Sequence, residues 1–444
     1  KKILPFLALV FYTLMFFPIQ NSNFFIVDNF VNFFTTLTIL TLINFSQKPK
    51  KNNLIKLGLA FAALIASKIT PIIYLPIILA VIIIKKVKIK NNSVKFQSSI
   101  KPVVGNLVLF AVITLIATFT FTPYSFIKHT QFIGEIKNQM QMNSNAYIFP
   151  YTLQYVTSTA YFYYLKNIFL WGAGPAISGF AFLGLLKTAK KAKPELKIKF
   201  NLQQITALFL KPQAILVLFY LIYFLIIGRS AVKFMRYMLP LYPLIAILAA
   251  IGFEVLSQTK LLSVKLKKSL QVLVLLCASV WAFSFLGIYE QNHSRVQATN
   301  WMLANIPTGS TLAVEHWDDR LPLWGGERFQ FTELPLYELP DDQTKWQAIK
   351  KQLKSADYIV LASNRLFTPL PKLADCGRYQ KCYPQTTEYY QKLFSGELGF
   401  AEVAEFTNRP NFFGLEIKDD NADESFTVYD HPKVIIFKKV ASLN

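Results

Sequence analysis

Four stretches of this chain carry polar or charged side chains where chemistry would have use for them. Asp28, in Phe24-Phe-Ile-Val-Asp28-Asn-Phe30, is the only acid in the first 130 residues. A carboxylate there suits a base, a metal ligand or a partner for a sugar hydroxyl. The plainer alternative is a helix N-cap, which Asp favours. Lys68 sits in Ser67-Lys68-Ile69-Thr70-Pro71, at a break between two apolar limbs. Its ammonium would neutralise a phosphate at a membrane surface, or snorkel to the headgroups. The third stretch, Gly228-Arg-Ser-Ala-Val-Lys-Phe-Met-Arg-Tyr237, places Arg229, Lys233 and Arg236 beside Tyr237. Arginine offers phosphate oxygens a planar fork, so these cations suit a phosphate clamp. Alternatively they anchor a tight turn at the interface. In the fourth, Glu315, His316, Trp317, Asp318 and Asp319 follow a β-run, the strand end at which α/β sites lie. The alternative is an ordinary polar loop with Trp317 packed on its domain.

The elements that must hold these residues are mostly apolar. Of 444 residues, 53% are hydrophobic and only 16% charged, where a soluble domain carries nearer a quarter. The apolar residues fall in runs long enough for about 30 Å of hydrocarbon. The net charge of +22 lies largely in short loops between these runs. Lys48, Lys50, Lys51 and Lys56 form one cluster; Lys85, Lys86, Lys88, Lys90 and Lys95 a second. Lys187, Lys190, Lys191, Lys193, Lys197 and Lys199 form a third, and Lys260, Lys265, Lys267 and Lys268 a fourth. Such loops mark the cytoplasmic side of a membrane protein. Nucleic acid is not needed to explain the charge, because no nucleic-acid-reading motif accompanies it.

The runs predict about nine hydrophobic segments: 3–20, 28–46, a broken pair 57–67 and 70–85, then 102–122, 166–187, 207–228, 236–256 and 269–288. The limb 57–67 spans only about 16 Å as a helix, which places Lys68 within the membrane or near its outer face. The fold class expected is mainly α: a polytopic transmembrane bundle over 1–289, with an outer loop at 123–165. An extracytoplasmic α/β domain over 290–444 completes it. Within that domain the pattern predicts helices at 297–306, 345–353 and 386–393. Strands are expected at 311–315, 358–361, 425–429 and 434–437. Cys376 and Cys382 are spaced for a small disulfide if the domain faces an oxidising compartment, and Cys277 reads as packing. No GxxxxGK[ST], HExxH, GxSxG or paired CxxC is present, and four scattered histidines suggest no metal cage.

Five stretches together resemble bacterial phospholipid-carrier-dependent glycosyltransferases of the GT-C superfamily, relatives of protein O-mannosyltransferases and the lipid A aminoarabinose transferase. Phe24-Phe-Ile-Val-Asp28 with Phe33-Phe34 is similar to the second acidic motif, and the break at Ser67-Lys68 to the family's helix break. Thr122-Pro-Tyr124 opens a long outer loop in a similar way. Lys233-Phe-Met-Arg-Tyr-Met-Leu-Pro-Leu-Tyr-Pro243 is similar to the start of a late helix. Trp317-Asp-Asp-Arg-Leu-Pro322 and Tyr429-Asp-His-Pro-Lys-Val434 look like outer-domain motifs of some members.

The resemblance implies an enzyme of the cell membrane that takes a sugar from a polyprenyl-phosphate donor at the outer face. Lys68, Arg229, Lys233, Arg236 and Tyr237 would bind the donor phosphate, and Asp28 would be catalytic. Glu315, His316, Trp317, Asp318 and Asp319 would face the acceptor or shape the outer domain. The cofactor is left open, a divalent cation such as Mg or Mn at Asp28 being one choice. The family's main catalytic acid precedes the region matched here, so the sequence reads as a piece lacking it. A transporter or lipid flippase is the competing reading, since broken helices often bind anions.

Overall fold

The computed structural model describes residues 3–86, 89–90, 93–94, 96–192, 206–207 and 209–440. Lys88, Lys95, Lys193, Lys197 and Lys199, from the predicted basic loops, lie outside the described residues. The chain is mainly helical with a small sheet near its C-terminal end, and divides into two compact units. One comprises 1–140 and 160–279, the other 141–159 and 280–444.

The first unit is built from α1 (Ile3–Thr13), α2 (Phe16–Ser22), α3 (Val27–Gln47), α4 (Lys51–Ser67), α5 (Leu75–Lys86), α6 (Phe96–Phe121), α7 (Pro175–Ala192), α8 (Pro212–Ile227), α9 (Tyr242–Gln258) and α10 (Val264–Leu286). Among the described residues, four helical stretches are long and apolar enough to cross a membrane: Val27–Gln47, Ile100–Phe121, Met235–Gln258 and one within Val264–Asn305. A bent pair, α1 with α2, would make five. Nine separate spans are not what the described residues display, because proline interrupts several runs. Pro18 has no N–H for the Leu14 carbonyl, and α1 and α2 meet at 65°. Thr70–Lys85 and Pro212–Ile227 are shorter apolar helices. The limb predicted at 57–67 is the end of a longer helix, since α4 begins at Lys51. α6 leaves Val104, Val108, Val112, Leu115, Ile116 and Phe119 exposed. An uninterrupted apolar surface of that kind suits hydrocarbon better than water.

Inside this unit, Phe61, Leu64, Tyr74, Phe110, Phe219 and Met238 share a buried cluster. α7 and α9 cross at two glycines. A Cβ on Gly184 would lie 1.9 Å from the Leu248 carbonyl, and one on Gly252 2.0 Å from that of Phe180. Neither position has room for any side chain, as in the small-residue contacts that let membrane helices approach.

The second unit carries a mixed five-stranded sheet formed by β1 (Thr311–Glu315), β2 (Gln330–Leu334), β3 (Tyr358–Leu361), β4 (Phe400–Phe406) and β7 (Val434–Lys439). A small separate hairpin, β5 (Asn411–Phe412) with β6 (Leu415–Glu416), lies between β4 and β7 in sequence. The sheet order is β2-β1-β3-β7-β4, with the first three strands parallel and β7 antiparallel to both neighbours. Around it are α11 (Ser294–Asn305), α12 (Gln343–Ser355), α13 (Pro384–Ser395) and the single turn α14 (Glu424–Thr427). The strand predicted at 425–429 is therefore corrected to a helical turn. The Asp423 side chain caps it by accepting the Ser425 N–H, and that local bond overrides the β-prone residues. Asp341 fastens two helices at once: it accepts from Lys345 Nζ and Trp346 Nε1 of α12 and from the Gln385 and Thr386 N–H groups of α13. Cys376 and Cys382 form a disulfide, while Cys277 is exposed on α10 rather than packed.

Candidate functional site

Helix breaks bring Asp28, Lys68 and Arg236 together. Pro71 cannot donate to the Ser67 carbonyl, so α4 stops and Lys68 takes an extended conformation (φ −161°, ψ 137°). Pro240 likewise cannot donate to the Arg236 carbonyl, and Met235–Leu241 winds as a 3₁₀ turn before α9 begins. Asp28 lies in the first turn of α3, where the helix dipole favours a carboxylate. It is not the N-cap: that residue is Ile26, with no side-chain cap.

The Asp28 side chain is buried, with only 5% of the residue exposed. Lys68 Nζ donates to its Oδ1 at 2.9 Å, and Arg236 Nε stands 3.7 Å from its Oδ2. Lys68 also lies over the Tyr237 ring, 4.5 Å from its centroid, and Arg236 over Phe234 at 4.7 Å. Tyr223 on α8 fixes the turn by donating its hydroxyl to the Tyr237 carbonyl at 2.6 Å. One carboxylate thus lies between two cations, each of them part-exposed. The same arrangement does not by itself make a site for Mg or Mn. Such ions take about six oxygen ligands, whereas Asp28 is a lone carboxylate with a cation against each oxygen.

Two predicted donor-site residues stand apart from this trio. Lys233 is buried, its Nζ donates to the Ala231 carbonyl at 3.0 Å, and burial lowers its pKa. Arg229 is exposed and makes no ion pair to a described residue.

The residues at the end of β1 separate by role. Glu315 is buried in the core of the second unit and accepts a bond from the Tyr390 hydroxyl. Burial pushes its carboxyl well above the usual range, so it belongs to the interior. Asp318 is also buried, which raises its pKa. Arg295, Arg365 and the Ser363 hydroxyl hold it from three sides. Asp319 is exposed and paired with Arg295, and His316 meets Glu333 at 3.1 Å. Trp317 is half-exposed at φ 77°, its ring edge-on to that of His316.

Sequence reasoning missed a second buried cluster. His431 Nε2 lies 2.9 Å from Asp419, its Nδ1 bonds Asp430, and Tyr289 donates to Asp430 at 2.9 Å. Burial alone would lower the histidine's pKa, but the two carboxylates outweigh it and raise it to about 9. The adjacent Asp430-His431 pair was visible, but Asp419 is twelve residues away and nothing local marked it as the partner. Arg295 and Arg365 were missed likewise, as single cations in polar sequence. Among the described residues, no group of three or more His, Cys, Asp or Glu is placed to hold a metal ion. No protein-family model matches this chain, and no curated protein or solved structure matches it.

Proposed function

We propose that this chain is a multi-pass membrane glycosyltransferase, moving a sugar from a polyprenyl-phosphate carrier to an acceptor at the outer face. The observation that carries the reading is the convergence of Asp28, Lys68 and Arg236 from positions 40 and 208 residues apart in pairwise separation. In the transfer, the bond between the anomeric carbon and the phosphate oxygen breaks, and a bond from that carbon to the acceptor oxygen forms. Negative charge grows on the leaving polyprenyl phosphate, and Lys68 and Arg236 are the groups to receive it. As they turn to the phosphate they loosen from Asp28, whose carboxylate is then free to accept the acceptor's proton or orient its hydroxyl. Asp28 corresponds to the second acid of the resemblance, so it assists rather than acting as the sole base. Basic loops in the first unit and a disulfide in the second suit a plasma membrane orientation with the second unit outside.

The test uses the protein in membranes with radiolabelled polyprenyl-phosphate sugars, comparing wild type with Asp28→Asn. Transfer of label to an acceptor is expected, reduced by about 10²-fold in the variant, the lower end of what a general base supplies. Folded protein that transfers from none of several carriers would move the assignment to lipid flipping or transport.

A further inference from the structure

The small hairpin of the second unit is built in a way that water alone does not explain. β5 and β6 pair Asn411 with Glu416 and Phe412 with Leu415, so Phe413 and Gly414 form the turn. Their φ angles are 48° and 86°. Two positive φ angles in succession mark a type I′ turn, for which asparagine or aspartate followed by glycine is the usual pair. Gly414 meets that demand, and its N–H donates to the Asn411 side chain at 2.9 Å. Phe413 does not, because a bulky side chain in the left-handed region is strained, and such strain points to a use. Nor is the strain offset by burial: Phe413 is 96% exposed, and Leu415 64%.

The hairpin has a fixed place against the end of α10. Gly287 opens the 3₁₀ turn Gly287–Glu290 directly after that helix, and a Cβ there would lie 2.4 Å from the Asn411 carbonyl oxygen. The two backbones are therefore in contact. Phe283, in the last turn of α10, stacks on Phe412, and Phe412 meets the Phe413 ring edge-on. α10 lies within a stretch long and apolar enough to cross a membrane. Lys265, Lys267 and Lys268 fall in its first turns. From Lys268 to Gly287 a helix rises about 28 Å, close to the thickness of the hydrocarbon. The hairpin thus docks at the level where hydrocarbon gives way to headgroups.

Leu276, Phe283 and Leu286 are exposed along α10, and the row of rings from Phe283 to Phe413 extends that apolar surface to the hairpin tip. Polarity returns at the base, where Glu416 stands 3.8 Å from Arg409 and Arg409 donates to Asp420 at 2.8 Å. An apolar tip on an ion-paired base matches the gradient from hydrocarbon to water. We propose that the 411–416 hairpin inserts its Phe413–Leu415 tip into the lipid bilayer beside α10, fixing the depth at which the second unit meets the membrane. The proposal rests on α10 crossing the bilayer and not on the transfer chemistry.

The test places a nitroxide on the full chain in phosphatidylcholine nanodiscs. Its collisions with oxygen, which concentrates in hydrocarbon, are compared with those with a water-soluble nickel chelate. Phe413→Cys and Leu415→Cys are labelled separately in a Cys277→Ser background. Glu397→Cys in the same background is the aqueous reference, and Cys277 of the unmodified chain, exposed on α10, is the lipid reference. The oxygen-to-chelate ratio at 413 and 415 is expected several-fold above that at 397, toward that at 277. Leu415 lies outside the strained turn, so its reading does not depend on replacing Phe413, and a melting temperature matching the unlabelled chain checks the fold of each protein. A ratio like that at 397, with 277 still dominated by oxygen, overturns the proposal. Few collisions with either reagent would mean that a protein surface covers the tip, which also overturns it. A chelate-dominated ratio at 277 would take α10 out of the membrane and the proposal with it.

Discussion

Asp28 and His431 are both ionisable groups removed from water between groups of opposite charge, yet the two clusters differ in what they leave over. Around Asp28 the partners are part-exposed cations on helix breaks. Around His431 the partners are buried, and Tyr289 completes them. The first arrangement suits exchange of partners, the second permanence. The second also predicts a pH dependence. The folded value of about 9 lies above the unfolded 6.5, so the cluster's contribution is complete below pH 6.5 and fades as pH rises through about 9. The loss amounts to on the order of 3 kcal/mol at most. Melting curves of the protein between pH 6 and 9.5 should move to lower temperature as pH rises, and His431→Gln should flatten that trend. A wild-type midpoint constant across the window would show that the imidazole is not held charged.

At the scale of elements, prolines decide where helices stop, and small residues decide where they touch. Pro71 and Pro240 each deprive a carbonyl four residues earlier of its donor, and the cations lie at those same breaks. Such positions are legible in the sequence, which is why Lys68 and Arg236 stood out before their contact was seen. The crossing of α7 and α9 was not legible, because a glycine within an apolar run looks the same wherever it faces. Gly252→Val should force the two backbones apart and cost about 1–3 kcal/mol, read as a lower melting temperature in detergent. Gly179→Val, on the facing helix α7 but with nothing within 4 Å of its Cβ, serves as the control. Equal effects of the two changes would mean that the crossing is not tight.

For the whole molecule, the proposed orientation can be read from outside intact cells. Lys260 is exposed between α9 and α10, Lys265 and Lys268 at the start of α10, and Glu397 in the second unit. In a Cys277→Ser background, a membrane-impermeant maleimide should label Glu397→Cys and spare Lys260→Cys until the cells are opened. The opposite pattern would put the disulfide-bearing unit in the cytoplasm and the Asp28 trio with the wrong leaflet for an externally transferred sugar.

Composition and run length were enough to mark the chain as one with helices long and apolar enough to cross a membrane, because hydrocarbon thickness and backbone hydrogen bonding act on local sequence. Local patterning also located β1, β3 and the helices α12 and α13, whose periodic apolar residues face one core. Of the nine hydrophobic segments it predicted, four helical stretches, or five with the bent pair, are long and apolar enough to cross a membrane among the described residues, and apolar character alone does not register a bend such as the one before Pro18. It misread 425–429, where one capping aspartate outweighs strand propensity. What only the tertiary structure decided is which polar residues meet. Asp28, Lys68 and Arg236 converge while Arg229 and Lys233 do not, and Glu315 is buried while Trp317 is displayed. Those outcomes depend on contacts between segments far apart in the chain, where side-chain type says what a residue is able to do and packing says whether it has a partner to do it with.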